Sequence, residues 1–329
     1  MSIYPYILGQ GRSGDVIAKT LGMLAQAHPD WNISSPTMLK RGSDFSEIKS
    51  PQQSLLCVAN PHGLHAEAIL KASALGIGAI LCEKPACVNL KQVSLLREVK
   101  TPTAILHGYR QTWGLQTIKQ HLLSGAVGDI ISIEGRYWQS SAADRALSEF
   151  PAKMGWKDDS TLSGEFDTYL DIATHWVDAV TFLYGKMPKE INGWRSYTNA
   201  DSPHRDTHIQ LCLNFENGRG FGSISKTVHG KNNHFEINII GSKKSLTWEF
   251  QKPDELVIGE GKDLRILSRK TQAFGSQLPP FHGMGWTEGY LEITRNLLSH
   301  AFLRNKTEYP RLSENLDLLE SMLKVSWKN

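Results

Sequence analysis

IYPYILGQGRSGDVIAKTLGMLAQA, residues 3–27, joins two periodicities through three glycines. Ile3 to Leu8 read as a strand. Ile17, Leu21 and Leu24 then share one face at helical spacing. Between them Gly9, Gly11 and Gly14 spell G-x-G-x-x-G at a strand–helix junction. The first glycine permits a tight turn. The second lets backbone approach a pyrophosphate, and the third lets helix and strand pack closely. The helix N-terminus offers unpaired N–H groups to the same phosphates. Arg12 and Ser13 lie inside this turn and are expected beside the phosphates, although a single exposed arginine is also ordinary surface.

The same alternation continues outward. A weaker strand lies within residues 32–40, and SLLCVAN (54–60) is a third strand. Leu64, Ala68, Ala72 and Leu75 align along a helix. GAILCE (78–83) follows, then a helix carrying Val93, Leu96 and Val99, then TAILHGYR (103–110). Strands apolar on both faces, separated by helices, predict a doubly wound parallel sheet over residues 1–122, an α/β Rossmann domain.

From about residue 130 the period becomes two: Ile131 and Ile133, then Ile209 to Phe215, Phe235 to Ile239, Leu246 to Phe250, Leu264 and Ile266. Glu216-Asn217-Gly218 signals a hairpin turn. Helical stretches fall at 168–184 and from about 286. Residues 123–329 are therefore expected to form an α+β domain with an open, mostly antiparallel sheet. An open sheet with apolar surface invites a homo-oligomer through that face.

Bulk properties narrow the function classes. The 329 residues carry a net charge of +3 with basic residues dispersed, which argues against nucleic acid or a membrane surface as partner. The N-terminus lacks a basic leader, and no long apolar run exists. Cys57, Cys82, Cys87 and Cys212 form no C-x-x-C pair and read as reduced, packed thiols, consistent with a cytoplasmic protein.

The second strand decides between NAD and NADP. WNISSPTMLKRGSDF (31–45) places Lys40, Arg41 and Ser43, rather than an acid, near the strand end. Positive charge and a hydroxyl suit a 2′-phosphate, so NADP is favoured over NAD, with Arg41 and Ser43 as its contacts. The alternative is that Asp44 serves NAD.

The fourth strand ends in Glu83-Lys84-Pro85. A lysine at the carboxyl end of a parallel strand faces the crevice where ligands bind. A surface Glu–Lys pair closing a strand is the plainer alternative. With ANPHGLHAEAILKA (59–72) and the glycine turn, this stretch resembles the glucose–fructose oxidoreductase / inositol dehydrogenase family (Gfo/Idh/MocA). The resemblance implies that Lys84 is a catalytic lysine, that Glu83 helps place the cofactor, and that Pro85, often in a cis peptide, sets the turn. It also implies that Asn60, Pro61 and His65 lie under the nicotinamide.

Asp171-Ile-Ala-Thr-His175-Trp-Val-Asp178 sets Asp171, His175 and Asp178 on one helical face. An acid one turn before a histidine can hold its ring and support its charged form. Such a pair could also bind a metal, but no third ligand has recognisable spacing, and no metal is expected. The stretch is similar to the family's D-x-G-x-H-x-x-D motif, which implies His175 as general base, Asp171 as its partner and a substrate contact, and Asp178 as structural. Trp156-Lys157 stands where the family has Trp-Arg. Ala173 replaces a glycine, and Glu165-Phe166-Asp167 replaces a glycine triplet, with only Gly164 nearby. Asp167 and Tyr169 are then expected to touch substrate, as are Trp156 and Lys157. Arg110, read as ending a parallel strand, is a further substrate-contact candidate. Trp138, Trp156, Trp176 and Trp194 could floor a sugar pocket, although most read better as packing.

The expectation is an NAD(P)-dependent oxidoreductase acting on a secondary alcohol or ketone of a sugar, cyclitol or related polyol. Lys84 polarises the oxygen and His175 moves the proton. A non-catalytic NAD(P) sensor of the same fold is the alternative, and the retention of Lys84, Asp171 and His175 together argues against it.

Overall fold

The computed structural model describes residues 2–148, 155–197, 205–270 and 285–328. The chain divides into two compact units. Met1–Gly108, Thr161–Gly164 and Trp286–Leu319 form the first; Tyr109–Ser160, Glu165–Gly285 and Glu320–Asn329 form the second.

In the first unit β1 (Tyr4–Leu8), α1 (Arg12–Ala27), β2 (Thr37–Leu39), β3 (Ser54–Val58), α2 (His65–Ala74), β4 (Ala79–Cys82), α3 (Leu90–Leu96) and β5 (Thr103–Ile105) alternate as the periodicities predict. The sheet runs β2-β1-β3-β4-β5 and is parallel throughout. Every residue of β3 and β4 is buried, as strands covered on both faces must be. Strand order reverses between β1 and β3, and ligands of such sheets bind outside the carboxyl ends at that point.

The second unit begins with α4 (Trp113–Leu123), β6 (Ile130–Trp138) and the short helices α5 (Ser141–Leu147) and α6 (Ser160–Ser163), the last of which crosses into the first unit. A π-helical turn, Tyr169–Ala173, leads into α7 (Thr174–Tyr184). Then come β7 (Glu190–Ser196), β8 (His208–Asn214), β9 (Arg219–Ser225), β10 (His234–Gly241), β11 (Ser245–Glu249), β12 (Glu255–Glu260) and β13 (Asp263–Ser268). After α8 (Trp286–Leu303) and α9 (Leu312–Leu323), β14 (Ser326–Trp327) completes a nine-stranded sheet ordered β13-β12-β11-β10-β6-β9-β8-β7-β14. Its pairings are antiparallel except β6–β9 and β7–β14. Gly218, at φ +116°, turns β8 into β9 where the hairpin was expected.

α7 lies against this sheet through Trp176, which is fully buried. A Cβ on Gly135 or Gly222 would sit 2.8 Å from its ring, so both strands need glycine there. Trp176 is therefore core. On the opposite face a depression of about 590 Å³ is lined by Trp138, Trp194 and Phe221 among others. Leu264 and Ile266 do not continue the apolar face. They are exposed on the edge strand β13.

The units do not follow a single cut at residue 122. The first segment of the first unit ends at Gly108, and α8 belongs to that unit as well. The reason is packing: Tyr290, Leu291, Ile293, Leu297, Leu298 and Phe302 of α8 share one core with Ile7, Ile17, Leu21, Leu55 and Leu81. β5 is also shorter than TAILHGYR predicts, because residues 108–111 turn into a 3-10 helix. Among the described residues no helix is long and apolar enough to cross a membrane. All four cysteines are free, and Cys57, Cys82 and Cys87 are buried.

Candidate active site

In the first unit three strand ends bring chemistry to one edge of the sheet. Gly9 follows β1 at φ +128°, and a Cβ there would lie 2.3 Å from the Ala59 carbonyl oxygen. A Cβ on Gly14 would lie 2.1 Å from the Gly9 oxygen, so these two glycines serve close packing. Gly11 differs: a Cβ there meets nothing within 4 Å, which leaves its backbone open to approach. Gly11 also gives α1 no side-chain cap, so the helix N-terminus keeps N–H groups for an anion. After β3, the Asn60 Oδ1 is buried with no partner among the described residues. A buried acceptor without a donor is costly unless a ligand supplies one. The turn, the uncapped helix and this oxygen fit a dinucleotide.

Beyond β4, Glu83 and Lys84 are both buried, and the Lys84–Pro85 peptide is cis. Glu83 Oε2 accepts the Lys84 N–H at 3.2 Å, and Oε1 accepts the Tyr290 hydroxyl of α8. His65, expected under the nicotinamide, is fully buried instead. Its Nδ1 lies 2.7 Å from the Pro85 oxygen and its Nε2 2.7 Å from the Asn60 oxygen. Burial lowers its pKa, partly offset by those two carbonyls. A neutral ring has one N–H for two carbonyls, so His65 braces the turns after β3 and β4 rather than facing a ligand.

At the end of β2, Lys40 and Arg41 are exposed. The Ser43 hydroxyl accepts the Phe45 N–H at 3.0 Å. Asp44 Oδ1 accepts the Ser46 hydroxyl at 2.7 Å and its N–H at 3.0 Å. Those bonds, the hydroxyl first, hold the Asp44 carboxyl below its usual range.

The second unit holds the other constellation. From Thr168 to Thr181 every residue is buried except His175. Asp206 anchors the start of this segment, accepting the Asp167 N–H at 2.8 Å and the Tyr169 N–H at 2.7 Å. Burial pushes the Asp206 carboxyl above its usual range despite these bonds. π-turns recur at functional sites because they redirect side chains within a helix. Here the turn carries Asp171, whose Oδ2 meets the Lys157 ammonium at 2.6 Å and the Lys226 ammonium at 2.9 Å. Lys226 also reaches Asp167 Oδ1 at 2.6 Å, with Arg205 3.9 Å from the same oxygen. Burial alone would lower the Lys226 pKa, but Asp171 and Asp167 more than offset it and raise it.

His175 is ringed by aromatics. Tyr109 stands edge-on at 5.2 Å between centroids, and Tyr137 is tilted at 5.8 Å. The two tyrosine hydroxyls lie 2.9 Å apart, and that of Tyr137 also donates to Asn233 Oδ1 at 3.3 Å. Burial pushes the Tyr137 phenol up to about 12, so it stays protonated near neutral pH. The Lys157 ammonium lies 5.6 Å from the Trp156 ring centroid, which keeps Trp156 beside the Asp171 cluster.

Two expected substrate contacts are placed elsewhere. Arg110 does not end a strand, and its guanidinium makes a buried pair with Asp178 at 2.6 to 2.9 Å. Tyr169 is fully buried, gives its hydroxyl to the Met322 oxygen at 2.9 Å and packs edge-on against Phe166 and Trp327. Both serve the interior of the second unit. Conversely, Lys226, Tyr109, Tyr137 and Tyr290 were missed. The one signal for Lys226 was its position directly after an alternating strand, where an inward lysine needs paired acids.

Residues 115–247 match the family model described as the GFO/IDH/MocA C-terminal domain. Levoglucosan dehydrogenase of Pseudarthrobacter phenanthrenivorans is 24% identical, covering 93% of this chain and 88% of that protein. A solved inositol dehydrogenase homolog from Azotobacter vinelandii, complexed with NAD+, matches with TM-score 0.81 at 17% identity, over 97% of this chain and 93% of that one. Solved levoglucosan dehydrogenase with NADH and levoglucosan matches with TM-score 0.79 at 20% identity, over 98% of both chains. At these identities the solved structures establish the shared two-domain fold.

Proposed function

We propose that the chain, whose residues 115–247 match the GFO/IDH/MocA C-terminal domain model and which has a parallel-sheet unit, is an NAD(P)-dependent dehydrogenase of a sugar, cyclitol or related polyol. The observation that carries this reading is the common edge of β1, β3 and β4, where Gly11, Asn60 and Lys84 follow three successive parallel strand ends. A bound nicotinamide supplies the place from which hydride leaves or to which it goes. The chain's residues handle the oxygen and the proton. Lys84 holds and polarises the substrate oxygen, its charge stabilising developing alkoxide. His175, the half-buried position of an otherwise buried segment, takes the hydroxyl proton in oxidation and returns it in reduction. Asp171, fixed by Lys157 and Lys226, is its acid partner and a substrate contact. Asp167, Trp156 and Lys157 line the same side of the reaction.

NADP is favoured over NAD. Lys40, Arg41 and Ser43 follow β2, where two exposed cations suit a 2′-phosphate, and Ser46 holds Asp44 through Oδ1. Relatives named for levoglucosan and inositol dehydrogenation support the polyol class. The face bearing Trp138, Trp194 and Phe221 supports a homo-oligomer through the open sheet. Light scattering of Phe221→Glu against the unaltered chain checks this: a fall in mass supports it, and an unchanged mass removes that face from the assembly. The activity itself is tested by nicotinamide absorbance with polyols, levoglucosan and myo-inositol among them, and each cofactor. Absence of turnover in both directions would defeat the reading.

A further inference from the structure

The Lys226 ammonium carries three N–H donors and no acceptor. One donates to Asp167 Oδ1 at 2.6 Å and one to Asp171 Oδ2 at 2.9 Å. Among the described residues these two carboxylates are its hydrogen-bond partners, which leaves the third N–H unspent. The side chain is buried, and a buried donor without an acceptor is costly. Because two bonds hold a tetrahedral ammonium, the direction of its third N–H is set as well. That bond points away from the lysine chain, on the side of both aspartates. An oxygen at ordinary hydrogen-bond length along it stands about 4.5–5 Å from each of the two carboxylate oxygens. One hydroxyl cannot take Asp171 and Lys226 together across that gap through straight bonds. Two hydroxyls on adjacent carbons, one on each residue, bridge it. Lys157 offers less: it shares Asp171 Oδ2 at 2.6 Å, but its side chain is 45% exposed and water competes for its other donors.

We propose that Lys226 is a substrate-binding residue whose third N–H reads the hydroxyl on a carbon next to the one oxidised, so that the substrate class is the vicinal diol. This rests on the polyol dehydrogenase reading given above, in which Asp171 touches substrate. A hydroxyl seated on Asp171 brings its vicinal neighbour to Lys226, and the charge on the ammonium strengthens that bond. Burial lowers the Lys226 pKa, but Asp171 and Asp167 raise it by more, so the group stays a charged donor near neutral pH. A secondary alcohol with no adjacent hydroxyl leaves the buried N–H unmet and is rejected.

The test uses the full chain, a polyol that it oxidises, and the monodeoxy analogues that lack the hydroxyl on one or the other side of the reacting carbon. Values of kcat/KM are measured for the unaltered chain, for Lys226→Met, and for Lys226→Met with Asp167→Asn, which supplies a folded comparison if the single variant is too unstable. Every assay runs well below the melting temperature of the protein used. Where turnover of a variant is too slow to read, the same ratios are taken from dissociation constants by calorimetry. In the unaltered chain one analogue should fall about 10- to 100-fold below the polyol, the effect of one hydrogen bond to a charged group. In both variants that analogue and the polyol should differ by less than about threefold, while the ratio for the other analogue stays as in the parent. A lysine that only supports the fold would lower all substrates by a common factor and leave the ratios unchanged. That result, or an unaltered chain that treats both analogues like the polyol, overturns the assignment and leaves the dehydrogenase reading standing. An unaltered chain that oxidises no polyol overturns that reading first, and the assignment with it.

Discussion

Replacing Lys226 by methionine should destabilise the second unit by about 3 kcal/mol. The ammonium is 7% exposed and bridges Asp167 at 2.6 Å and Asp171 at 2.9 Å. Removing one partner of a buried ion pair typically costs about 3–5 kcal/mol, because the remaining charge loses its compensation. The low end applies here. Asp171 keeps Lys157, but that side chain is 45% exposed and such a pair is worth at most about 1 kcal/mol. Among the described residues Asp167 then keeps Arg205, at 3.9 Å. For a unit of this size the loss corresponds to a fall of roughly 6–12 °C in its melting temperature. Calorimetry of the full chain at neutral pH reads it. The pH dependence has a sign. The Lys226 pKa is raised in the fold above 10.5, so its contribution is complete below 10.5 and is lost as pH rises through the folded value. The gap between variant and parent should therefore hold through neutral pH and narrow in strong alkali. Adding Asp167→Asn to Lys226→Met should recover part of the loss, since a charge left with only the more distant Arg205 is then removed. A melting temperature within about 2 °C of the parent would refute the reasoning.

Three further outcomes follow from the same geometry. His65→Leu should cost about 1–3 kcal/mol by stranding whichever carbonyl, of Asn60 or of Pro85, accepts the one N–H of the neutral ring. Because burial lowers the His65 pKa below 6.5, the parent loses stability as pH falls from 6.5 toward the folded value, and urea titrations should show the variant without that part of the slope. Arg110→Met should cost about 3–5 kcal/mol by taking the guanidinium away from the buried Asp178 carboxylate, while Arg110→Met with Asp178→Leu should recover most of it; a substrate-binding arginine would instead show its effect in KM. Arg41→Ala should weaken NADPH about 5- to 10-fold and leave NADH unchanged, and equal affinities for the two cofactors in the parent would place 2′-phosphate recognition elsewhere.

The chain's local patterns disclosed the local structure. The glycine turn, the doubly buried strands and the change of period after residue 130 are each written within a few residues, and each appears in the fold. Glu83 to Pro85 could be read as a strand-end turn for the same reason. What escaped depended on distance along the chain. The apolar face of α8 shows that it packs, not that it returns to the first unit beside Ile7 and Leu55. Lys226 is a lone lysine after a strand until two aspartates, 55 and 59 positions away, come within 3 Å. Arg110 misled because a single arginine near a strand end looks available, while its partner Asp178 lies 68 positions on. Tyr169 misled because it stands between Asp167 and Asp171 in sequence, while Trp327 and the Met322 carbonyl, which take up its ring and hydroxyl, lie more than 150 positions on.

The central claim is that Lys84 and His175 divide the work of one redox reaction. It is tested most directly by turnover of Lys84→Ala and His175→Ala with a polyol that the parent oxidises, beside NADPH affinity for all three proteins. The account predicts turnover lowered by about 10²–10⁴-fold in each variant, with NADPH affinity within about threefold of the parent's, since a tenfold change would mean about 1.4 kcal/mol of lost cofactor binding. Turnover at the parent's rate in either variant would contradict it.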